Sequence, residues 1–552
     1  MTELYIDKQP VMLPKDFSLE ITQENPFFTK GGTRTLEITL SLLDPLNARL
    51  YNHYNRINNN TEIASNRRAR LIADNNVLMD GIEIILEITE KEVKIQLLSG
   101  ESELNHVITG GNRKLSDLAL GELEYGKNKS STLFYSFFPI ADPDGTIHNK
   151  QGVYYANGNL GSYFPMTDIP QPRLYHVAEL VVSALGYQLK ENILYDDFFA
   201  LHIINGVKTS KYVRMLPEMT VNDFFSKLEK SFNIVFLLDE LNKSVSIVSR
   251  KNAINGQIDI NEVLDSCTQT IENDERQDYF NANYNYELGS DAYFSFQNLA
   301  PEIMEQAEAV EMANFTAIKN LINNTENKLS LQNKIFFSKE SKMEYICYRE
   351  EKDNGEKIYY PKKVNAFKPV LNNPKSKELD FSLEVAPAPI TIQDIEIRMG
   401  SALYGYLRVQ MPQVSVGEYV EDTNFSIQDA IVAPTEKKKN ETILMAYYTG
   451  GKRIYLNQSL SVTYDMAFVD TTDEYITEEE QYIVKTQNLR LFDDRGLKAL
   501  YESSLNFDST RLYTFRFTYN RKIDLNKIFI INNKKFICME LMYTVNPKGF
   551  YP

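Results

Sequence analysis

The chain has 552 residues, enough for roughly three to five domains, with 43% hydrophobic and 24% charged residues, ordinary for a globular protein. Its 59 basic and 75 acidic residues leave a net charge of −16, which argues against a DNA-wrapping surface, where phosphate neutralisation dominates affinity. No window approaches the roughly 18 consecutive apolar residues of a membrane span, and MTELYIDKQPVMLPKDF lacks the basic and apolar regions of a secretory signal, so a cytoplasmic origin is expected.

Residues 1–165 read as mostly β, in keeping with 34 Tyr, 30 Phe and no Trp. Leu4 to Asp7 forms a short edge-like strand, and Phe17, Leu19 and Ile21, then Leu36, Ile38 and Leu40, alternate with polar residues. A helix is expected within 44–56, with Asp44 as N-cap and Pro45 at its first position. A meander follows, with turns at Asp74-Asn75-Asn76, Asp80-Gly81 and Glu90-Lys91-Glu92. Between them Ile82, Ile84, Leu86 and Ile88, then Val93, Ile95 and Leu97, alternate with polar residues up to Ser99-Gly100. Long half-buried antiparallel strands of this kind build a barrel or a sandwich, so an N-terminal β-barrel-like domain is expected over 1–165. A short helix falls around 115–123, a strong turn at Asp142-Pro143-Asp144-Gly145, and Pro165, Pro170 and Pro172 mark a boundary.

From Arg173 a helix carries Leu174, Val177, Leu180, Val181, Ala184 and Leu185 on one face and closes at Gly186. A second helix starts at Thr220, with Asp223 in capping-box position, and aligns Val221, Phe224, Phe225, Leu228 and Phe232 before ending at Asn233. An apolar strand over 234–238, a turn over 239–243 and a strand carrying Val245 and Ile247 complete an α/β domain over 168–252. Residues 253–330 form a connecting β/helical segment: a strand within 256–265, a turn of helix, and a helix over 301–322 with Ile303, Ala307, Val310, Asn314, Ala317 and Leu321 on one stripe. Residues 331–490 read as a β-rich domain, with a hairpin at Asn354-Gly355, an extended linker or edge over 385–389, and an exposed loop at Lys437-Lys438-Lys439. Residues 491–552 add strands at Tyr513, Phe515, Phe517 and Tyr519, at 528–531 and, after a turn at Asn532-Asn533, at 536–543, expected to complete a barrel. The fold class is thus α+β and β-dominated, multidomain, with tube-like β-barrel domains and at least one inserted α/β domain. No internal repeat is visible.

Candidate chemistry is sparse. Cys267, Cys347 and Cys538 form no CxxC and read as free thiols. His53, His106, His148, His176 and His202 have no zinc-site spacing, and His176, beside Glu179 on its helix, reads as a boundary histidine. Gly121 to Asn128 approaches a P-loop, but Asn128 replaces the Mg²⁺-binding hydroxyl, and Glu122 and Glu124 repel phosphate. The Asp142 turn lacks the spacing of a calcium loop. The acidic runs Glu478-Glu479-Glu480 and Asp493-Asp494 carry no readable glycosidase separation. Arg67-Arg68-Ala69-Arg70 reads as a solvated or inter-subunit face and not as a DNA contact. No catalytic, cofactor-binding or metal-ligating residue is assigned, no cofactor is implied, and no enzyme activity is expected.

Four stretches together resemble phage tail hub proteins, also called tail-associated or baseplate hub-like proteins. They are DNNVLMDGIEIILEITEKEVKIQLLSG over 74–100, the helix–hairpin module over 219–250, QDYFNANY within 276–286, and the ending IDLNKIFIINNKKFICMELMYTVNPKGFYP. The opening LYIDKQPVMLPKDFSLEIT is similar to predicted tail proteins of Bacteroidetes phages and prophages. Residues 300–470 take their assignment from position. The resemblance implies a virion structural protein at the tail tip, assembled in the host cytoplasm: the hub that ends the tail tube. Two barrel-like domains would continue the tube's ring as a homotrimer, open and close the DNA channel, and anchor tip or fibre proteins. Implied partners are the tail tube, the distal tail ring, tip and fibre proteins, and, transiently in the lumen, the tape-measure protein and DNA, with no membrane span. The acidic balance suits a lumen that repels DNA. Alternatives are a distal tail ring or adaptor, the spike base of a contractile injection system, or a carbohydrate-binding tail-tip protein whose tyrosines stack on sugars.

Overall fold

Turn residues in the left-handed backbone that tight hairpins need, mostly Asn, Asp and Gly, set the frame. Asp7 and Lys8 (φ 48° and 65°), Asp74 and Asn75 (50° and 63°), Asn157 and Gly158 (51° and 82°), and Asn532 and Asn533 (49° and 60°) each form a two-residue turn. Ile6 then pairs with Gln9, Ala73 with Asn76, Ala156 with Asn159, and Ile531 with Lys534. The structure is a computed structural model that describes residues 2–28, 32–56, 58–59, 66–100, 113–123, 132–142, 145–163, 169–239, 242–271, 279–284, 310–331, 334–339, 343–351, 355, 357–363, 378–383, 385–388, 390–414, 416, 443–448, 450–456, 459–467, 511–517, 523–547 and 549–551.

The protein is β-dominated α+β, with several sheets and few helices. Its largest sheet has ten antiparallel strands and joins the two ends of the chain. The order is Gln9–Val11, Thr2–Ile6, Arg68–Ala73, Asn76–Ile88, Glu92–Ser99, Thr33–Thr35, Leu19–Glu24, Glu540–Asn546 and Gly549–Tyr551, with Ile38–Ser41 also on Glu92–Ser99. One apolar core lies inside it, including Leu4, Ile21, Leu40, Leu71, Ile95 and Val545. Residues from two further small sheets, among them Phe517, Phe529 and Ile531, pack on the same core. The sheet curls until Thr2 Oγ1 donates to the Asn546 carbonyl. That contact is side chain to backbone, and among the described residues no strand pairing closes a barrel. The end strands have three residues each, and Pro10 has no N–H to offer a further neighbour. The expected barrel-like domain is thus, among the described residues, a curled sheet without strand closure, in which Thr2–Ile6 is flanked on both sides and is not an edge.

The expected turn at Asp80-Gly81 is instead the middle of the 13-residue strand Asn76–Ile88. A Cβ at Gly81 would fall 1.9 Å from the Leu98 carbonyl oxygen, so glycine is required here by a close backbone approach and not by a reversal. The expected strand over 536–543 is two strands, Lys534–Ile537 and Glu540–Asn546. Asn25 holds the break, donating from Nδ2 to the Cys538 carbonyl (2.8 Å) and from its backbone N–H to the Met539 carbonyl (2.8 Å).

The helices of the α/β unit, Leu174–Ala184 and Val221–Phe232, share a core with a sheet ordered Gln188–Asn192, Ser244–Ser249, Ile234–Asp239. Thr220 Oγ1 accepts from the Asp223 N–H (3.1 Å), and Asn233 ends the second helix in the left-handed conformation (φ 49°, ψ 46°), as the sequence predicts. Gln188–Asn192, too polar to stand out in the sequence, runs parallel to Ser244–Ser249 at the sheet edge. The same core takes in Leu115, Val385, Ile443 and Met445, so 385–387 is an edge strand, Val385–Pro387, paired with Ile443–Tyr447.

Of the other helix expectations, one holds and two change. The first helix is Pro45–Leu50, capped by Asp44 and stopped before Asn52 and His53, which have positive φ. Around 115–123 there is only a 3₁₀ turn, Leu115–Asp117. In 301–322 the described part is a strand, Val310–Met312, and a helix, Phe315–Asn324; Asn314 is its N-cap, its Oδ1 accepting from the Ala317 N–H at 2.9 Å. Met343–Glu351 and Lys357–Lys363 pair antiparallel on either side of 354–355. Tyr279–Tyr284 pairs in parallel with Glu378–Leu383. His106, residues 124–131, Asn354, Lys437 to Lys439, Glu478 to Glu480, Asp493-Asp494 and Tyr519 lie outside the described residues.

Candidate functional site

Alternation along Arg68–Ala73 separates the three arginines of 67–70. Arg68 and Arg70 stay partly exposed and both engage Asp80, at 2.7 Å from Arg68 Nη2 to Oδ1 and 3.0 Å from Arg70 Nε to Oδ2. Arg67 is not on a solvated face. It is buried, donates from Nε to Glu83 Oε2 (2.8 Å) and from Nη1 to the Leu50 carbonyl (2.9 Å), and lies 4.6 Å over the Tyr51 ring. The Tyr51 hydroxyl donates to Glu83 Oε1. Burial pushes the Glu83 carboxyl up, against the opposing pull of the Arg67 charge. The cluster ties the end of the Pro45–Leu50 helix to the middle of the curled sheet, and all of its charge is used internally.

Three of the histidines, His148, His176 and His202, are equally occupied. His202 is fully buried, with Nδ1 2.8 Å from the Ala200 carbonyl and Nε2 2.9 Å from Ser136 Oγ. A carbonyl can only accept, so Nδ1 carries the proton and the Ser136 hydroxyl donates to Nε2. Arg173 donates to the Phe199 carbonyl (2.7 Å) and reaches Ser136 Oγ at 3.5 Å. Burial, then the Arg173 charge, pushes His202 well below its usual range. A serine–histidine contact of this kind without exposure, and without a carboxylate on Nδ1, is a structural joint and not a nucleophile with its base. His176 packs at a tilt against Phe134 (centroids 4.3 Å apart) with Nδ1 3.3 Å from Glu179, and burial pushes it down against the pull of Glu179. His148 Nε2 lies 3.1 Å from Asp142 Oδ2, while Asp142 Oδ1 accepts from the Thr146 N–H at 2.9 Å, so both oxygens of Asp142 close its turn. Glu122 bridges Lys211 and accepts from Ser210 Oγ (3.3 Å). Among the described residues no three His, Cys, Asp or Glu side chains gather where a metal could be held.

The tyrosines fall into two groups. Tyr51, Tyr345, Tyr447 and Tyr464 are buried in the cores. Of the exposed ones, Tyr54 and Tyr195 stand apart, while Tyr154, Tyr163, Tyr404 and Tyr406 lie on one four-stranded sheet: Asn159–Tyr163, Gly152–Ala156, Ile390–Met399 and Ala402–Pro412, in that order. Strand alternation in the sequence already sets Tyr154 against Val153. That Tyr154, Tyr163 and Tyr406 share one face follows only from the pairing, while Tyr404 stacks on Tyr155 on the core side of the sheet.

No protein-family model matches the chain, and no curated protein matches it. Among solved structures, the crystal structure of the 43 kDa tail protein of prophage MuSo2 from Shewanella oneidensis is similar over 51% of this chain, at 11% identity and a TM-score of 0.25. The match covers 65% of that protein, just under two-thirds of its length.

Proposed function

We propose that this protein is a structural component of a phage-type tail, and within it the hub at the distal end of the tail tube. One observation carries the reading. The stretches over 74–100 and 523–552, two of those that resemble hub proteins, contribute strands to the same curled sheet around one core. A sheet of this kind, with short end strands and chemistry turned inward, is suited to assembly and not to turnover. In this reading the curled sheet is the first ring-forming unit, the segment over 168–252 is a peripheral α/β unit, and the sheets of 331–490 supply a second ring-forming unit. The segment over 253–330 connects them, and 491–552 returns to the first. Three copies surround a channel through which DNA and the tape-measure protein pass, and tip or fibre proteins attach outside. The acidic balance keeps DNA from adhering to the wall.

Light scattering on the purified full-length chain tests this. The expected mass is three times 63.7 kDa. A six-copy mass favours a distal ring or adaptor, and a lone 63.7 kDa particle at assembly-like concentration contradicts the hub, because a channel on the symmetry axis needs several copies.

A further inference from the structure

We infer that the outward face of the four-stranded sheet is a binding platform for a neutral oligosaccharide, with Tyr154 and Tyr163 as its stacking surface. The inner face of this sheet is spent on the core, where Val153, Ile395, Ile397, Leu407 and Val409 pack with Val462 and Tyr464. Alternation therefore turns the other face to water, where charged and polar residues are expected. Instead Tyr154 is 44% exposed, Tyr163 53%, Leu403 50% and Tyr406 54%.

The two rings lie across glycines, their planes tilted 46° to each other. Tyr163 pairs with Gly152 and Tyr154 with Gly161. A Cβ at Gly152 would come within 2.5 Å of the Tyr163 ring, and one at Gly161 within 2.4 Å of the Tyr154 ring, so each ring lies across the glycine of the neighbouring strand. The ring centroids are 6.2 Å apart. An aromatic over a glycine also stabilises strand pairing. That role does not account for the exposed Leu403 and Tyr406 two strands away.

Register extends the platform across the sheet. Tyr154 is level with Arg398, Arg398 with Leu403, and Glu396 with Tyr406. Arg398 Nε donates to Glu396 Oε2 at 2.9 Å, so these two charges cancel between the aromatic residues. In a chain of net charge −16, this locally neutral pair, which still offers hydrogen bonds, complements an uncharged, hydroxyl-rich ligand better than a nucleic acid or an anionic surface. Four strands give a width of roughly 14 Å, room for a short oligosaccharide. The inference is independent of the hub reading, since one copy carries the whole face.

The test is calorimetric titration of the full-length protein with chitohexaose, cellohexaose, maltohexaose and mannohexaose at millimolar concentration. At least one is expected to bind saturably. Tyr154→Ala and Tyr163→Ala should each weaken that binding about tenfold, while Tyr154→Phe stays within about twofold, as a stacked ring requires. A cooperative melting transition establishes that each variant is folded. Absence of binding by all four sugars overturns the inference, as does binding that survives the double alanine variant. So does a change of assembly mass in the alanine variants, which would make the face a contact between copies.

Discussion

The curled ten-stranded sheet and the four-stranded sheet each bury one face in a core, but they treat the other face differently. On the first, exposed positions carry ion pairs, Arg34 with Glu24 and Lys94 with Glu37 and Glu87, alongside exposed Leu36, Leu86 and Met542. Its most deeply buried pair among the described residues, Arg67 with Glu83, fastens a helix end. On the second, the outward row is Tyr154, Arg398 and Leu403, with Tyr163 and Tyr406 beside it. One sheet spends its polar chemistry on holding itself together. The other leaves aromatic surface unspent.

Substitutions sharpen the contrast. Glu83→Ala strands the buried Arg67 charge and should cost about 3–5 kcal/mol in urea unfolding, whereas Glu396→Ala removes an exposed pair and should stay within about 1 kcal/mol. Equal losses would erase the distinction. Next come the glycines. Gly81→Ala sets a methyl against the Leu98 backbone and should cost about 1–3 kcal/mol or more, because a backbone carbonyl inside a sheet cannot step aside. Gly161→Ala first meets the Tyr154 ring, an exposed side chain able to give way, so it should cost under about 1 kcal/mol while weakening sugar binding. Thr220→Ala, which removes a helix cap outside both sheets, should cost about 1 kcal/mol and leave sugar binding unchanged.

The smallest effect is a titration. Hydrogen bonds from Asn242 and from Lys190, at 2.7 Å, hold Asp239 down to about 2, below its ordinary 3.8. A depressed folded value means that the stabilisation is present above pH 3.8 and lost as pH falls through about 2. Carboxyl NMR of Asn242→Ala should show the Asp239 midpoint rising toward 3.8. An unmoved midpoint would assign the depression to Lys190 alone.

What was legible in the sequence was local. Thr220 with Asp223, Asn233, Asp44 with Pro45, and Asp74-Asn75 each act within a few residues, and the structure puts caps and turns where those residues stand. What was not legible depends on distant partners. Gly81 looks like a turn until Leu98 is set beside it, and Arg67 looks solvated until Glu83 lies under it. Gln188–Asn192 is polar because it is an edge strand, so its pairing leaves no apolar pattern. The tyrosine platform combines both cases. Alternation marks Tyr154 as outward, but the ring's place across a glycine follows only from its pairing with Gly161.

The most direct test of the assembly reading is single-particle imaging of the purified full-length protein. The account predicts a three-fold particle with an open or plugged axial channel, around which the curled sheets are arranged. A particle without an axial channel, or one with the curled sheets at its periphery, would contradict it.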